Sequence, residues 1–238
     1  MITVRDIVNA HRLLQQYLGI KKIHIGIGGS LGGQQLLEWA VMEPALFEIL
    51  MPIATNAKFS PWGIAFNESQ RMAIEADKTL YDLHPEAGKK GLAAARAIAM
   101  LSYRNYRTYD NAQQDKASQI DDFRASSYQR YQGLKLVKRF EPLSYLSLSK
   151  SMDSHDIGRD RGGLKKALGK ISANTLIIGI TSDILFPVNE QEFLAQYIPV
   201  SQLEIIDSDY GHDGFLIEYG QLTYLISQFL NKHNLFRP

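Results

Sequence analysis

Between residues 22 and 42 the chain passes from a short β-branched run, Lys22–Ile27, through Gly28-Gly29-Ser30-Leu31-Gly32 into a stretch of helical spacing, Gln34–Met42. A strand that turns into a helix over so few residues needs glycine at the turn. A serine held between the glycines is forced into a strained conformation at the strand's end, with its hydroxyl directed away from the core. That is the context of a nucleophile elbow. The pentapeptide alone is a common coincidence; the strand–turn–helix setting makes Ser30 a candidate nucleophile, and the rest of the chain must supply its partners.

The periodicities around this turn alternate. Thr3 can cap a helix, with Asp6 reaching back in a variant of the capping box, and Ile7, Ala10, Leu14 and Leu18 follow at helical spacing until Gly19. Ile23, Ile25 and Ile27, with little polar relief, predict a parallel strand covered on both faces. Leu36, Leu37, Ala40 and Val41 give the next helix an apolar face that closes at Pro44, and Ile49–Ala54 is a second apolar strand. From Phe59 to about Asp153 only helical periods remain: Asn67–Leu80, Leu92–Tyr103, Asp122–Phe140 and Leu143–Met152. Their tyrosines and arginines suit amphipathic helices with aromatic faces, or a helical lid inserted after a strand and arching over Ser30. Ser154–Gly169, with Gly158, Gly162 and Gly163 among charges, reads as a flexible return. Thr175–Ile180 (strand), Asn189–Tyr197 (helix), Gln202–Ile206 (strand), a loop Ser208–Gly214 and a closing amphipathic helix Ile217–Asn231 then restore the alternation. The class is α/β, a mostly parallel sheet with an inserted helical lid. It divides as core 1–58, lid 59–153 and core 154–238.

A serine hydroxyl needs a base, usually histidine, and a carboxylate to fix the histidine's tautomer. Of the six histidines, His11 and His24 fall in or beside regular elements, whereas His84, His155 and His233 fall in polar stretches read as exposed. His212 stands apart, in Asp209-Tyr210-Gly211-His212-Asp213-Gly214 after the last strand. Asp183 directly follows the strand Thr175–Ile180. Ser30, Asp183 and His212 therefore occur in the order serine, acid, histidine, each at the C-terminal end of a different strand, and such ends converge on one edge of a parallel sheet. The absence of cysteine removes disulfides, thiolate metal sites and a cysteine nucleophile, and fits a reducing cytoplasm. No metal site is expected. A formal net charge of +1 offers no basic face for nucleic acid or membrane, no stretch has the length of a membrane-spanning helix, and Met1–Asp6 lacks a signal-peptide pattern.

The sequence resembles the homoserine O-acetyltransferases of methionine biosynthesis, within the α/β-hydrolase superfamily. The resemblance covers nearly the whole chain. It rests on Ile2–Asp6, Gly28–Gln34, Trp62-Gly63-Ile64-Ala65-Phe66-Asn67-Glu68, Arg139-Phe140-Glu141-Pro142 with Ser144-Tyr145-Leu146, Ser182–Pro187 and Gly211-His212-Asp213. It implies a double displacement in which Ser30 takes an acetyl group from acetyl-CoA, a co-substrate rather than a bound cofactor, and passes it to the hydroxyl of L-homoserine. His212 would act as base, Asp183 as its carboxylate and the Leu31 N–H as an oxyanion donor. Arg96 and Tyr103 match lid positions that contact substrate, Arg96 pairing with the homoserine carboxylate, and Asp213 would hold the amino group. Their seven-residue spacing puts Arg96 and Tyr103 on the same side of one helix. A homodimer through the lid and a cytoplasmic location are the matching expectations.

Members of that family carry a long stretch before the segment resembling Ile2–Asp6, with the first strands of the sheet and a second oxyanion donor. The expectation is a truncated chain whose strand Lys22–Ile27 has an open edge, which is poorly stable, associates through that edge and turns over slowly. The competing functions are a serine hydrolase or esterase of the same fold, a relative using succinyl-CoA or serine, and an inactive fragment that needs a complementary N-terminal half.

Overall fold

The computed structural model describes residues 1–233. Strands β1 (Ile23–Gly29), β2 (Phe47–Ile53), β3 (Asn174–Ile180) and β4 (Ser201–Ile206) form one parallel sheet in the order β1-β2-β3-β4. Helices α1 (Val4–Tyr17) and α2 (Leu31–Met42) come before β2. Helices α3 (Pro61–Glu75), α4 (Lys89–Tyr103), α5 (Tyr106–Ala112), α6 (Arg124–Val137), α7 (Pro142–Asp153) and α8 (Leu164–Leu168) separate β2 from β3. Helix α9 (Val188–Tyr197) crosses from β3 to β4, and a 3-10 helix (Gly211–Leu216) leads into α10 (Tyr219–Lys232). Because every pairing is parallel, the loops after the four strands open on one edge of the sheet. Residues 234–238 of the predicted second core stretch lie outside the described residues.

The sheet is covered on both faces. Leu36, Leu37, Leu168 and Leu194 from α2, α8 and α9 pack on Leu50 and Ile177. On the other side Phe229 and Leu230 of α10 pack on Ile49, Met51, Ile178 and Ile206. Helices α3, α4, α6 and α7 form a separate cluster around Ile74, Leu92, Ala95, Leu136 and Leu146. A buried ion pair, Arg71 to Asp153 at 2.6 Å, joins α3 to α7.

Several expectations are corrected. Strand β1 is not covered on both faces: among the described residues it pairs only with β2, Gly26 alone is buried, and Ile27 is 57% exposed. Helix α1 has the expected capping box at Thr3 and Asp6, but it buries Val4 and Val8, while Ala10, Leu14 and Leu18 stay exposed. The Tyr/Arg-rich stretch holds an unpredicted short helix, α5. The return from Ser154 to Gly169 is packed rather than loose. It contains α8, buries Ile157 completely, and is held by Glu38, which accepts bonds from both Arg5 and Arg161. Burial works against ionisation of Glu38, but the two guanidiniums prevail and hold its carboxyl below the usual range. His155, read as exposed, is buried, and its Nε2–H donates to the Asn56 carbonyl.

Candidate active site

Strand β1 ends at Gly29 and α2 starts at Leu31, so Ser30 makes the turn alone, at φ 54° and ψ −124°. This conformation is costly for a residue with a side chain and persists only where the surroundings over-determine it. Here they do: the Ser30 N–H donates to Ile53 O at 3.0 Å, and the Ser30 carbonyl accepts from the Gln34 N–H at 3.1 Å and the Thr55 hydroxyl at 2.8 Å. The Ser30 hydroxyl makes no capping bond to α2. Of the nearby glycines, Gly28 is required because a Cβ there would lie 2.4 Å from Gly32 O. A Cβ on Gly29 would lie 2.7 Å from the Phe215 ring, and one on Gly33 would lie 2.6 Å from Thr55. Gly32, the last glycine of the motif, has open space beside it.

Asp183 lies just beyond β3 and is 3% exposed. Its Oδ1 accepts the N–H groups of Leu185 and Phe186 at 2.8 and 2.9 Å, and its Oδ2 accepts from His212 Nδ1–H at 2.7 Å. This carboxylate therefore sets the tautomer of His212 and leaves Nε2 as the proton acceptor. The imidazole is boxed by aromatic rings: Phe186 stacks on it at 5.1 Å, Phe215 meets it edge-on at 5.4 Å, and Tyr103 lies at 5.7 Å. Phe215 thus touches both the elbow, at Gly29, and the base.

The end of α4 closes over the histidine loop. A Cβ on Gly211, whose φ is +62°, would lie 2.9 Å from the Arg104 backbone. The Arg96 guanidinium sits 5.2 Å from the centre of the Tyr103 ring and has no carboxylate partner among the described residues. Burial raises the Tyr103 phenol, with Arg96 opposing and Asp213 adding, so the hydroxyl stays protonated and can donate. Burial also raises Asp213, against the pull of Arg104 and His212. Asp213 already has a partner, since Arg104 Nε lies 3.3 Å from its carboxylate. Tyr145 borders Tyr103, donates to buried Gln70, and is raised by burial. Beside Arg104 and Ile184 an open depression of ≈ 400 Å³ is lined by Leu101, Asn105, Tyr106 and Tyr109. Trp62 Nε1–H donates to Ile184 O at 2.7 Å and so ties the start of α3 to the acid loop. Among the described residues no cluster of three or more His, Asp or Glu could hold a metal ion.

The chain therefore joins Asp183 to His212 directly, joins His212 to the Ser30 turn through Phe215, and sets Tyr103 and Asp213 beside the same imidazole, with Arg96 over the Tyr103 ring. Sequence reasoning missed Arg104, Gln70, Thr55 and the roles of Phe186 and Phe215. Arg104 adjoins Tyr103, and Phe186 stands in a segment quoted for the resemblance, so those two had a signal; Thr55 had none.

A family model described as alpha/beta hydrolase fold matches residues 1–219. A homoserine O-acetyltransferase from Chlorobium chlorochromatii is 39% identical over 98% of this chain and 67% of its own. The chain belongs to the homoserine O-acetyltransferase family of α/β-hydrolases. The enzyme of that name from Cyclobacterium marinum is 52% identical over 98% of this chain and 66% of its own, and that from Chlorobaculum tepidum 44% over 96% and 65%. The chain thus spans about two thirds of the length of the curated relatives it matches. Among solved structures, homoserine O-acetyltransferase from Staphylococcus aureus superposes with a TM-score of 0.79 at 31% identity, covering 97% of this chain and 65% of that one. Esterase E22 superposes at 0.87 with 23% identity over 96% and 67%, which speaks for the fold alone.

Proposed function

We propose that this chain carries the acyl-transfer centre of a homoserine O-acetyltransferase. The observation that carries the reading is the Asp183–His212 pair at 2.7 Å, enclosed by aromatic rings beside a strained, uncapped Ser30. In the first half-reaction His212 Nε2 takes the Ser30 proton as Oγ attacks the thioester carbonyl of acetyl-CoA. The Leu31 N–H, at the start of α2, receives the developing oxyanion. Collapse breaks the C–S bond, His212 passes its proton to the leaving sulfur so that CoA departs as the thiol, and acetyl-Ser30 remains beside a neutral imidazole. In the second, His212 takes the hydroxyl proton of homoserine, the alkoxide attacks the acetyl carbonyl, and Ser30 Oγ leaves with that proton.

Transfer outruns hydrolysis only where the acceptor is positioned and water is kept away. Helices α3–α7 serve as the lid, and the aromatic box around His212 limits water at the base. Arg96, a fork without a protein carboxylate, is suited to the acceptor's carboxylate, and Asp213 to its amino group, released in part from Arg104. The outer lid face, where Tyr131 and Leu134 are exposed, is the contact for a homodimer in the cytoplasm.

A second reading is a hydrolase, favoured by the acetyl esterase MekB, which superposes at a TM-score of 0.79 with 27% identity. Partitioning decides between them. Radiolabelled acetyl-Ser30 formed from acetyl-CoA is expected to discharge faster with millimolar homoserine than in buffer, and to be absent in Ser30→Ala. Discharge indifferent to homoserine supports hydrolysis, and labelling from succinyl-CoA alone would replace the donor.

A further inference from the structure

The Ser30 carbonyl and the Leu31 N–H belong to one planar peptide unit, so whatever holds the carbonyl also aims the N–H. Besides its bond within α2, that carbonyl accepts a hydroxyl from outside the turn, Thr55 Oγ1 at 2.8 Å. We propose that Thr55 is a positioning residue that aims the oxyanion-binding peptide of the elbow and polarises its N–H. The inference rests on the acyl-transfer reading of Ser30.

The surroundings of Thr55 fit that task. It is fully buried and stands just beyond β2, after Ala54, which takes a left-handed φ of 45° although it is not glycine. The backbone on both sides is pinned: the Ala54 N–H donates to Ile178 O at 2.8 Å, and Gln191 Nε2–H donates to Thr55 O at 2.8 Å. The threonine side chain sits against Gly33, where a Cβ would lie 2.6 Å from Thr55 Cβ, so the absence of a side chain at Gly33 lets the hydroxyl reach Ser30. The strained Ser30 at the end of β1 is thus tied by one hydroxyl to Thr55, the residue that follows the strained Ala54 at the end of β2. A hydrogen bond received by the carbonyl draws electron density from the N–H of the same unit, strengthening it as a donor to an oxyanion in a buried site.

Thr55→Val keeps the shape and removes only the hydroxyl; Thr55→Ser keeps the hydroxyl and removes the methyl. Both are compared with the parent chain in the rate of Ser30 labelling by a fluorophosphonate. In parallel, ¹³C′-serine and ¹⁵N-leucine labelling isolates the Leu31 amide, because only Ser30-Leu31 and Ser147-Leu148 are serine–leucine pairs in the sequence. In Thr55→Val the limiting labelling rate is expected to fall on the order of 10–100-fold at unchanged half-saturation, less than the loss of a whole oxyanion donor. The Leu31 amide proton is expected to move upfield while the Ser147-Leu148 signal stays put. Thr55→Ser should restore both readouts. Labelling of Thr55→Val at the parental rate, an unmoved Leu31 amide, or equal losses in the two variants would each overturn the proposal. If Ser30 of the parent chain does not label, the acyl-transfer reading falls, and the amide shift still decides whether Thr55 governs that peptide.

Discussion

Replacing Asp183 by asparagine removes one charge, adds almost no volume, and asks whether the carboxylate governs His212. In the parent chain Oδ1 holds two backbone N–H groups and Oδ2 holds the imidazole. Asparagine has a single acceptor oxygen and two ways to place it. Turned toward His212, its amide nitrogen would face the N–H groups of Leu185 and Phe186 and leave two buried donors unmet, at about 1–3 kcal/mol each. Turned the other way it keeps both N–H bonds and presents an N–H to His212 Nδ1, which must then accept. This second placement is favoured by roughly 2–6 kcal/mol. It moves the imidazole proton to Nε2, where it can no longer accept the proton of Ser30. A tautomer reversal of this kind lowers the rate by about 10⁴, equivalent to ~5 kcal/mol of barrier. The assay is the rate of Ser30 labelling by fluorophosphonate, or the acylation burst with p-nitrophenyl acetate, with a thermal melt to establish folding and ¹⁵N shifts of His212 to read the tautomer. A folded Asp183→Asn chain that acylates within about tenfold of the parent, or keeps the Nδ1–H tautomer, refutes the reasoning.

Arg96→Gln should raise the homoserine KM by roughly 10–100-fold, the worth of a charge-assisted pair, and leave acylation by acetyl-CoA unchanged; equal losses in both half-reactions would count against a carboxylate contact. Gly32→Ala should fold and gain ~0.5–1 kcal/mol in urea denaturation as an unhindered helical position, whereas Gly33→Ala should be destabilised and label poorly, since its methyl meets Thr55. Burial lowers His155 to about 4, so below its ordinary 6.5 the unfolded chain takes up a proton that the folded chain refuses. Stability should fall as pH drops from about 6.5 to about 4, by up to ~3 kcal/mol, and stay level above that window; His155→Asn should remove this part of the slope in urea midpoints. Ile27→Lys should suppress concentration-dependent association in sedimentation velocity, because Ile27 is exposed on a strand paired on one side only; a parent chain that is monomeric at every concentration contradicts this.

The site was legible where topology carried it. Ser30, Asp183 and His212 could be placed because each follows a predicted strand, and a parallel sheet gathers such positions on one edge whatever lies between them. The pairing of Arg96 with Tyr103 follows from helical spacing, and the structure puts the guanidinium over the ring. What escaped depends on contacts between distant segments. The stripe Ile7, Ala10, Leu14 and Leu18 obeys helical spacing as well as the buried pair Val4 and Val8, and only the neighbour that covers a helix decides which face is buried. His155 sits among polar residues in sequence, yet it is buried with its ring N–H on the carbonyl of Asn56, a residue distant in the chain. Arg104 leaves α4 in an extended conformation, which carries it to Asp213, and helical spacing does not reveal where a residue beyond the helix end points.

The glycines show most directly how a motif and its physical requirement come apart. In Gly28-Gly29-Ser30-Leu31-Gly32-Gly33 the recognised pattern counts Gly28 and Gly32, but a side chain at Gly32 would meet open space, while Gly29 and Gly33 are the positions another part of the protein occupies. Phe215, which comes to Gly29, also borders His212; Thr55, which comes to Gly33, holds the Ser30 carbonyl. Each of these glycines admits a residue that couples the nucleophile's turn to a separate part of the chemistry, the base on one side and the oxyanion peptide on the other. The turn is therefore defined by what packs into it as much as by its own bend, and a substitution at Gly33 should disturb the oxyanion peptide before it disturbs His212, with Gly29 showing the reverse order.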